Sequence, residues 1–297
     1  MNDYCHMYHR GMAGQVIFYC VIDRLVYYTL SSILSRKYGV QVISAAYMFT
    51  HTHQLGRALS PETVREYEYR LGWYYARAFN QASGRRGCLF SHSAGFAVKR
   101  TEKEIRTNLA YLANNSTEKR LFRHCWEDRW NFVAYTDSPC PFSNPLVKKT
   151  SSRRLRNALK IIEGEYLRSE YLDYALLLRL FSGLSPKELQ QLIDAIILIY
   201  QFIDYEASVS YYGSYEKTLL AFDSNTGSEY GFTEAWEPPT DIPYRQMCRI
   251  VRQQGFNLVE KEFLRAPSSD LIMDLMRGSD ATPYQIRRFL HMPEPPR

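Results

Sequence analysis

The amino-acid sequence predicts an α+β protein whose second half is all-helical. Three observations carry this expectation. Strand-like and helix-like patterns alternate as far as Asn115. A segment rich in proline and serine, Asp137 to Ser152, interrupts them. From Arg153 onward the strong apolar patterns have helical period. A chain of 297 residues is long for one domain and comfortable for two, at about 100–200 residues each.

The elements follow in order. Val16 to Lys37 places Phe18, Val21, Ile22, Leu25, Tyr28, Leu30, Ile33 and Leu34 at helical spacing, and Gly39 follows as a stop. Val40 to Met48 is rich in β-branched and aromatic residues and predicts a buried strand. His51 to Leu55 continues in extended form. Ser60-Pro61-Glu62-Thr63 opens a helix to about Asn80, with Ser60 as N-cap and Pro61 at the first helical position. Gly84 to Gly87 is a basic turn, and Leu89 to Val98 a second extended segment. Thr101-Glu102-Lys103-Glu104 is a capping box that starts a helix ending near Asn115.

Residues 137–152 hold Pro139, Pro141, Pro145 and four serines, and predict a linker. A helical region spans 153–222, with Ser185-Pro186-Lys187-Glu188 as another capping box ahead of a long apolar helix to about Tyr205. A loop is expected over 223–243 and a C-terminal helical unit over 244–297.

Composition excludes several classes. The charged fraction of 23% is ordinary, so disorder across the whole chain is excluded. The longest strongly apolar stretch, Leu192 to Ile203, carries Asp194 and Gln201, and it falls short of the ~20 residues of a membrane helix. The N-terminus lacks an early apolar block and is not a secretory signal. Six cysteines with no CxxC pair fit a reducing cytoplasm. The net charge of +6 permits a polyanionic partner without requiring one. With 24 tyrosines, no single tyrosine is evidence of catalysis until its position decides.

Two elements carry candidate chemistry. In His51-Thr52-His53 the imidazoles alternate along an extended chain and project from one face, where they could bind one divalent ion. The alternative is two histidines on a half-exposed strand. In the helix from Thr101, residues Ile105, Leu109 and Leu112 form an apolar stripe. Glu104, Asn108, Tyr111 and Asn115 form a polar stripe beside it, at the edge of the buried face. The alternative there is a boundary tyrosine with asparagines capping the helix end. Together, His51, His53 and Asn115 make a hard nitrogen–oxygen donor set suited to Mg²⁺ or Mn²⁺. Tyr111, one turn before Asn115, could then attack phosphorus.

These residues sit inside a longer resemblance. His6-Met7-Tyr8-His9-Arg10-Gly11, Ala46-Tyr47-Met48-Phe49-Thr50-His51-Thr52-His53-Gln54-Leu55, Arg77-Ala78-Phe79-Asn80 with Gly87-Cys88-Leu89-Phe90, and Tyr111-Leu112-Ala113-Asn114-Asn115 occur in that order. In order and spacing they resemble the single-tyrosine HUH transposases, above all the REP-associated tyrosine transposases. The resemblance covers roughly residues 4 to 125. Phe49-Thr50 stands where that family has Pro-Asn, and Ser116 where it has proline. The resemblance implies a nuclease domain over 1–136 with a small antiparallel, ferredoxin-like sheet. It also implies Tyr111 as nucleophile, His51, His53 and Asn115 on Mg²⁺ or Mn²⁺, and cleavage of single-stranded or hairpin DNA through a 5′-phosphotyrosine. Two other functions remain open: a domesticated DNA-binding regulator that does not cut, and a metal-dependent hydrolase that uses water.

Basic residues suit a DNA partner. They are Arg10, Arg85, Arg86, Lys99, Arg100, and the cluster Lys148, Lys149, Arg153, Arg154 and Arg156, whose alternative is a solvated linker and helix face. Near the C-terminus, Asp270 to Met276, Gly278 and Thr282-Pro283 outline a helix-turn-helix with Gln285, Arg287 and Arg288 on its second helix. Any helical hairpin would read the same way. His92, His124 and His291 are isolated and expected to be structural.

Overall fold

The computed structural model describes residues 3–12, 15–91, 95–119, 121–147, 149–224, 242–255, 267–290 and 292, without the side chains of Ile242, Tyr284 and Arg288. Among them the chain is α+β, as expected. The first half runs β1 (Tyr4–Arg10), α1 (Val21–Tyr38), β2 (Gln41–Tyr47), β3 (His51–Arg57), α2 (Pro61–Ser83) and β4 (Gly95–Lys99). The strands pair antiparallel in the order β2-β3-β1-β4, the ferredoxin-like arrangement. α3 (Glu102–Glu118) follows, and the rest is helical: α4 (Arg153–Leu167), α5 (Tyr174–Phe181), α6 (Pro186–Ile199), α7 (Tyr205–Ser210), α8 (Tyr215–Ser224), α9 (Ile242–Gln253), α10 (Ser269–Gly278) and α11 (Pro283–Phe289). None of the described helices is long and apolar enough to cross a membrane.

Local chemistry sets most helix starts. Ser60 accepts from the Thr63 amide and Thr101 from that of Glu104, and the Glu104 carboxylate returns to the Thr101 amide. Ser185 and Glu188 close the same box on α6. Gly39 ends α1 at φ 64°, where a side chain would be strained.

Three boundaries differ from expectation, each because a long-range contact overrides a local pattern. Residues 16–20 are buried but irregular rather than helical. The Ile17 and Phe18 amides donate to the Phe49 carbonyl, and Asp23 caps α1 through the Tyr19 and Cys20 amides. Of the expected strand from Leu89 to Val98, β4 covers the residues from Gly95 and Phe90 makes an isolated bridge with Gly11, while residues 92–94 lie outside the described residues. The apolar helix expected to reach Tyr205 stops at Ile199. Ile203 bridges to Val42 and the Asp204 amide bonds the Val42 carbonyl, which draws the chain to the edge of β2. The expected loop at 223–243 falls largely outside the described residues.

The sheet has two covered faces. Thr52 and Gln54 of β3 and His9 of β1 face α1 and α2, through Tyr27 and Tyr67. Tyr4, Ile43, Ala46 and Leu55 pack against Ile105, Leu109 and Leu112 of α3 on the other face. The tyrosine excess has a structural use. Tyr28 donates to the Ile197 carbonyl at 2.9 Å and Tyr174 to Asp23 Oδ1 at 2.9 Å, joining the helical half to α1. These buried hydroxyls add hydrogen bonds to apolar packing.

The described residues of 137–152 are irregular, and Phe142 and Asn144 bond to α6. Gln191 donates to the Asn144 carbonyl, and Asp194 accepts from the Phe142 amide. Asp194, the charge inside the apolar stretch, is buried against Arg129 at 3.1 Å and accepts from Tyr135 at 2.7 Å. Removing one partner of a buried pair leaves the other charge uncompensated. Asp194→Leu should therefore lower unfolding free energy by about 3–5 kcal/mol, measured by denaturant unfolding. An unchanged midpoint would show that Arg129 does not depend on it.

Candidate active site

The pleat of β3 places His51 and His53 on the α3 face and Thr52 on the other. Both imidazoles are buried, 4.9 Å apart between ring centroids. β1 runs antiparallel beside them, with Tyr8 opposite His53 and Arg10 opposite His51. On α3 the expected polar stripe is buried at Asn108, Tyr111 and Asn115, while Glu104 stays exposed as the cap. The tyrosine that position was to single out therefore lies in this cluster. The Tyr111 ring stands edge-on to His53, with centroids 5.4 Å apart, and 6.0 Å from His6.

His51 is oriented from both sides. Its Nδ1 lies 3.0 Å from Thr50 Oγ1, and its Nε2 lies 3.1 Å from Lys119 Nζ. An ammonium only donates, so Nε2 must accept and the ring proton belongs on Nδ1. Asn115 Oδ1 lies 3.4 Å from the same Nε2. Two acceptors facing each other repel unless a cation lies with them, and Lys119 supplies one. Burial holds His51 and His53 well below the usual imidazole range, and the Lys119 charge adds to it. His6 is pushed down to about 3 by burial, with Lys99 adding to it. Burial thus favours the neutral form of all three rings, the form that ligates metal.

The donor chemistry fits a hard divalent ion: two neutral imidazoles and an amide oxygen, with one lone pair already directed at a cation. Among the described residues no three His, Cys, Asp or Glu side chains form such a site by themselves.

The basic candidates separate by role. Arg10 acts on His51 electrostatically, and Lys99, half-buried at the end of β4, acts on His6. Arg100 pairs with Asp3 at 3.5 Å. Arg85 is spent on the turn, donating to Gln15 Oε1, the Cys88 carbonyl and Asn80 Oδ1. Arg86 and Lys149 are exposed. Arg153 and Arg154 line an open pocket of about 390 Å³ with Asn157, Ile161, Arg179 and Leu180. None of these three arginines has an ion pair among the described residues. Arg154 lies against Gly183, where a Cβ would come within 1.2 Å of Arg154 Nη1.

At the C-terminus α10 and α11 are successive helices in contact, which both readings of this segment require. Gln285 is engaged in its own helix cap, accepting from the Thr282 amide at 2.8 Å, and Arg287 is half-exposed. Lys148 and the Arg288 side chain lie outside the described residues, as do His92 and His291. His124 stacks on Trp126 and pairs with Asp223.

Sequence reasoning missed His6, Asn108 and Lys119 as parts of this cluster. Asn108 was visible on the polar stripe and Lys119 one turn beyond Asn115. His6 is seen only once β1 is known to pair with β3. No family model, curated protein or solved structure matches the chain.

Proposed function

We propose that this protein cuts and rejoins single-stranded DNA through a covalent tyrosine intermediate. The observation that carries the reading is the convergence of Tyr111, His51, His53 and Asn115, from β3 and α3, in one buried cluster. In the proposed step Tyr111 Oη attacks phosphorus and gives up its proton, and the departing 3′-oxygen takes one up, so that the exchange is balanced overall. The bond from phosphorus to the 3′-oxygen breaks, that oxygen leaves as a free 3′-hydroxyl, and the 5′-phosphate stays on the tyrosine. His51 Nε2, His53 and Asn115 Oδ1 would hold Mg²⁺ or Mn²⁺, which supplies Lewis-acid polarisation of the phosphate. Thr50 keeps the His51 lone pair directed inward, and the packing of α3 on the sheet keeps the tyrosine ring in place.

The direct test is incubation with a single-stranded hairpin and Mn²⁺, followed by denaturing electrophoresis. A protein–DNA adduct supports the reading. Hydrolysed DNA without an adduct would instead indicate attack by water. One observation favours a second reading, that of a DNA-binding regulator that does not cut. The Lys119 ammonium already meets the His51 lone pair, so a divalent ion must displace it. Binding without cleavage at saturating Mn²⁺ would select that reading.

The arginine pocket is the proposed DNA-binding surface outside the cluster. A pocket lined by three arginines together with Ile161 and Leu180 suits phosphates with a base beside the apolar side chains. Replacing Arg153, Arg154 and Arg179 by alanine should flatten the plot of log affinity against log salt. The expected change in slope is about 0.7 for each phosphate that is no longer neutralised, measured by fluorescence anisotropy of a labelled oligonucleotide. An unchanged slope would remove the pocket from the DNA path.

A further inference from the structure

We infer that Tyr8 is a stacking platform for one unpaired base, and that it gives the site its preference for single strands. The inference rests on the reading of the cluster as a site for single-stranded DNA, and it adds a group that would hold the strand there. The pleat of β1 puts Tyr4, His6, Tyr8 and Arg10 on the face that carries His51 and His53. Cover by α3 runs out along this face. Asn108 and Tyr111 of α3 reach His6, two residues short of Tyr8. Tyr4 and His6 are buried, whereas Tyr8 and Arg10 are half-buried.

The Tyr8 ring lies across the sheet on Gly95. The two residues are direct partners on β1 and β4. A Cβ on Gly95 would come within 1.5 Å of Tyr8 Cε1 and 1.6 Å of Cζ, so only glycine leaves room for the ring. Glycine inside a strand packs nothing itself and marks a place where another group comes close. One side of the ring is taken up by the strand, and Gly95 is buried. The exposed part of Tyr8 therefore lies on the side away from the sheet. The ring centroid is 6.1 Å from His53 and 6.1 Å from His6, and Arg10 follows on the same face, opposite His51. An aromatic face beside a guanidinium and the proposed reaction centre suits a nucleotide, with the base on the ring and the phosphate toward the cation and imidazoles. One ring offers far less than the roughly 800 Å² that a stable protein interface buries on each partner. Every base has a π-face, so the platform accepts any base. A base inside a duplex is already stacked on both sides, so the platform selects unpaired strands rather than a sequence.

The test uses the full chain and two readouts. Fluorescence anisotropy gives affinity for a labelled single strand and for the same sequence as a duplex. 2-Aminopurine placed at each position of the strand in turn reports stacking by loss of its emission. The wild-type protein should quench it at one position beside the reacting phosphate. Tyr8→Leu should restore that emission, weaken single-strand binding by at least about fivefold and leave duplex binding unchanged. Tyr8→Phe keeps the ring and should match the wild type in both readouts. Gly95→Ala keeps Tyr8 but displaces its ring, and should reproduce the loss. An abasic site at the quenched position should cost the wild-type protein as much as Tyr8→Leu does, and should cost Tyr8→Leu nothing further. That arm leaves the wild-type fold untouched. An abasic penalty that persists in full in Tyr8→Leu overturns the platform. So does a Tyr8→Phe defect as large as that of Tyr8→Leu, because the hydroxyl is then the group in use. A wild-type protein that stacks one base as described but forms no covalent adduct upholds the inference and removes the cutting reaction instead. Adduct formation with unchanged affinity in Tyr8→Leu does the reverse, and a wild-type protein that binds no single strand overturns both.

Discussion

Tyr111→Phe should leave no denaturation-resistant protein–DNA product while DNA affinity stays within about twofold. The substitution deletes the attacking oxygen and keeps the ring that stands edge-on to His53 and His6. No other group would replace a missing nucleophile, so adduct formation should fall by at least about 10³-fold. The other tyrosines mostly have another use. Tyr27, Tyr28, Tyr47, Tyr67, Tyr75 and Tyr200 are fully buried, and burial raises the pKa of Tyr27, Tyr28 and Tyr47 well above the usual phenol range. The specific rival is Tyr8, opposite His53 on β1, with ring centroids 6.1 Å apart. An adduct that survives in Tyr111→Phe but disappears in Tyr8→Phe would move the nucleophile to β1 and overturn the assignment to α3.

What could be read from the chain depended on how local the cause was. The capping boxes at Thr101 and Ser185, the Ser60 cap and the glycine stop after α1 are each set within a few residues, and each is present. The spacing of His51 and His53 defines a face once the segment is extended, and the stripe of Asn108, Tyr111 and Asn115 defines one once the segment is helical. Sequence period alone did not show that those two faces meet. It also missed β1, whose two faces are both covered, so that alternation is absent from Tyr4–Arg10. His6 of that strand meets Asn108 across 102 positions of chain. The irregular buried stretch at 16–20 has apolar spacing like a helix, but its amides are claimed by Phe49. Asp194 read as an interruption in an apolar run because its partner Arg129 lies on another segment. In each case the missing information was a partner distant in sequence.

His51→Ala and His53→Ala should each lower cleavage by about 10²-fold or more, while DNA affinity changes by less than about threefold. The two effects separate because affinity comes mainly from phosphate neutralisation at basic surfaces, whereas the buried imidazoles act only at the phosphate that reacts. The substitutions are not equivalent. His51→Ala removes the ring nitrogen that lies 3.1 Å from Lys119 Nζ and 3.4 Å from Asn115 Oδ1. His53→Ala removes the ring between His51 and Tyr111 and strips His6 of its Nε2 partner. If a divalent ion is required, chelator should abolish cleavage by the wild-type protein, and Mn²⁺ titration should show a weaker site in both variants. Cleavage that survives both chelator and His51→Ala would sink the metal reading. Loss of that cleavage in Lys119→Met would then place the stabilising charge on the lysine, since its ammonium already stands where the His51 lone pair is directed.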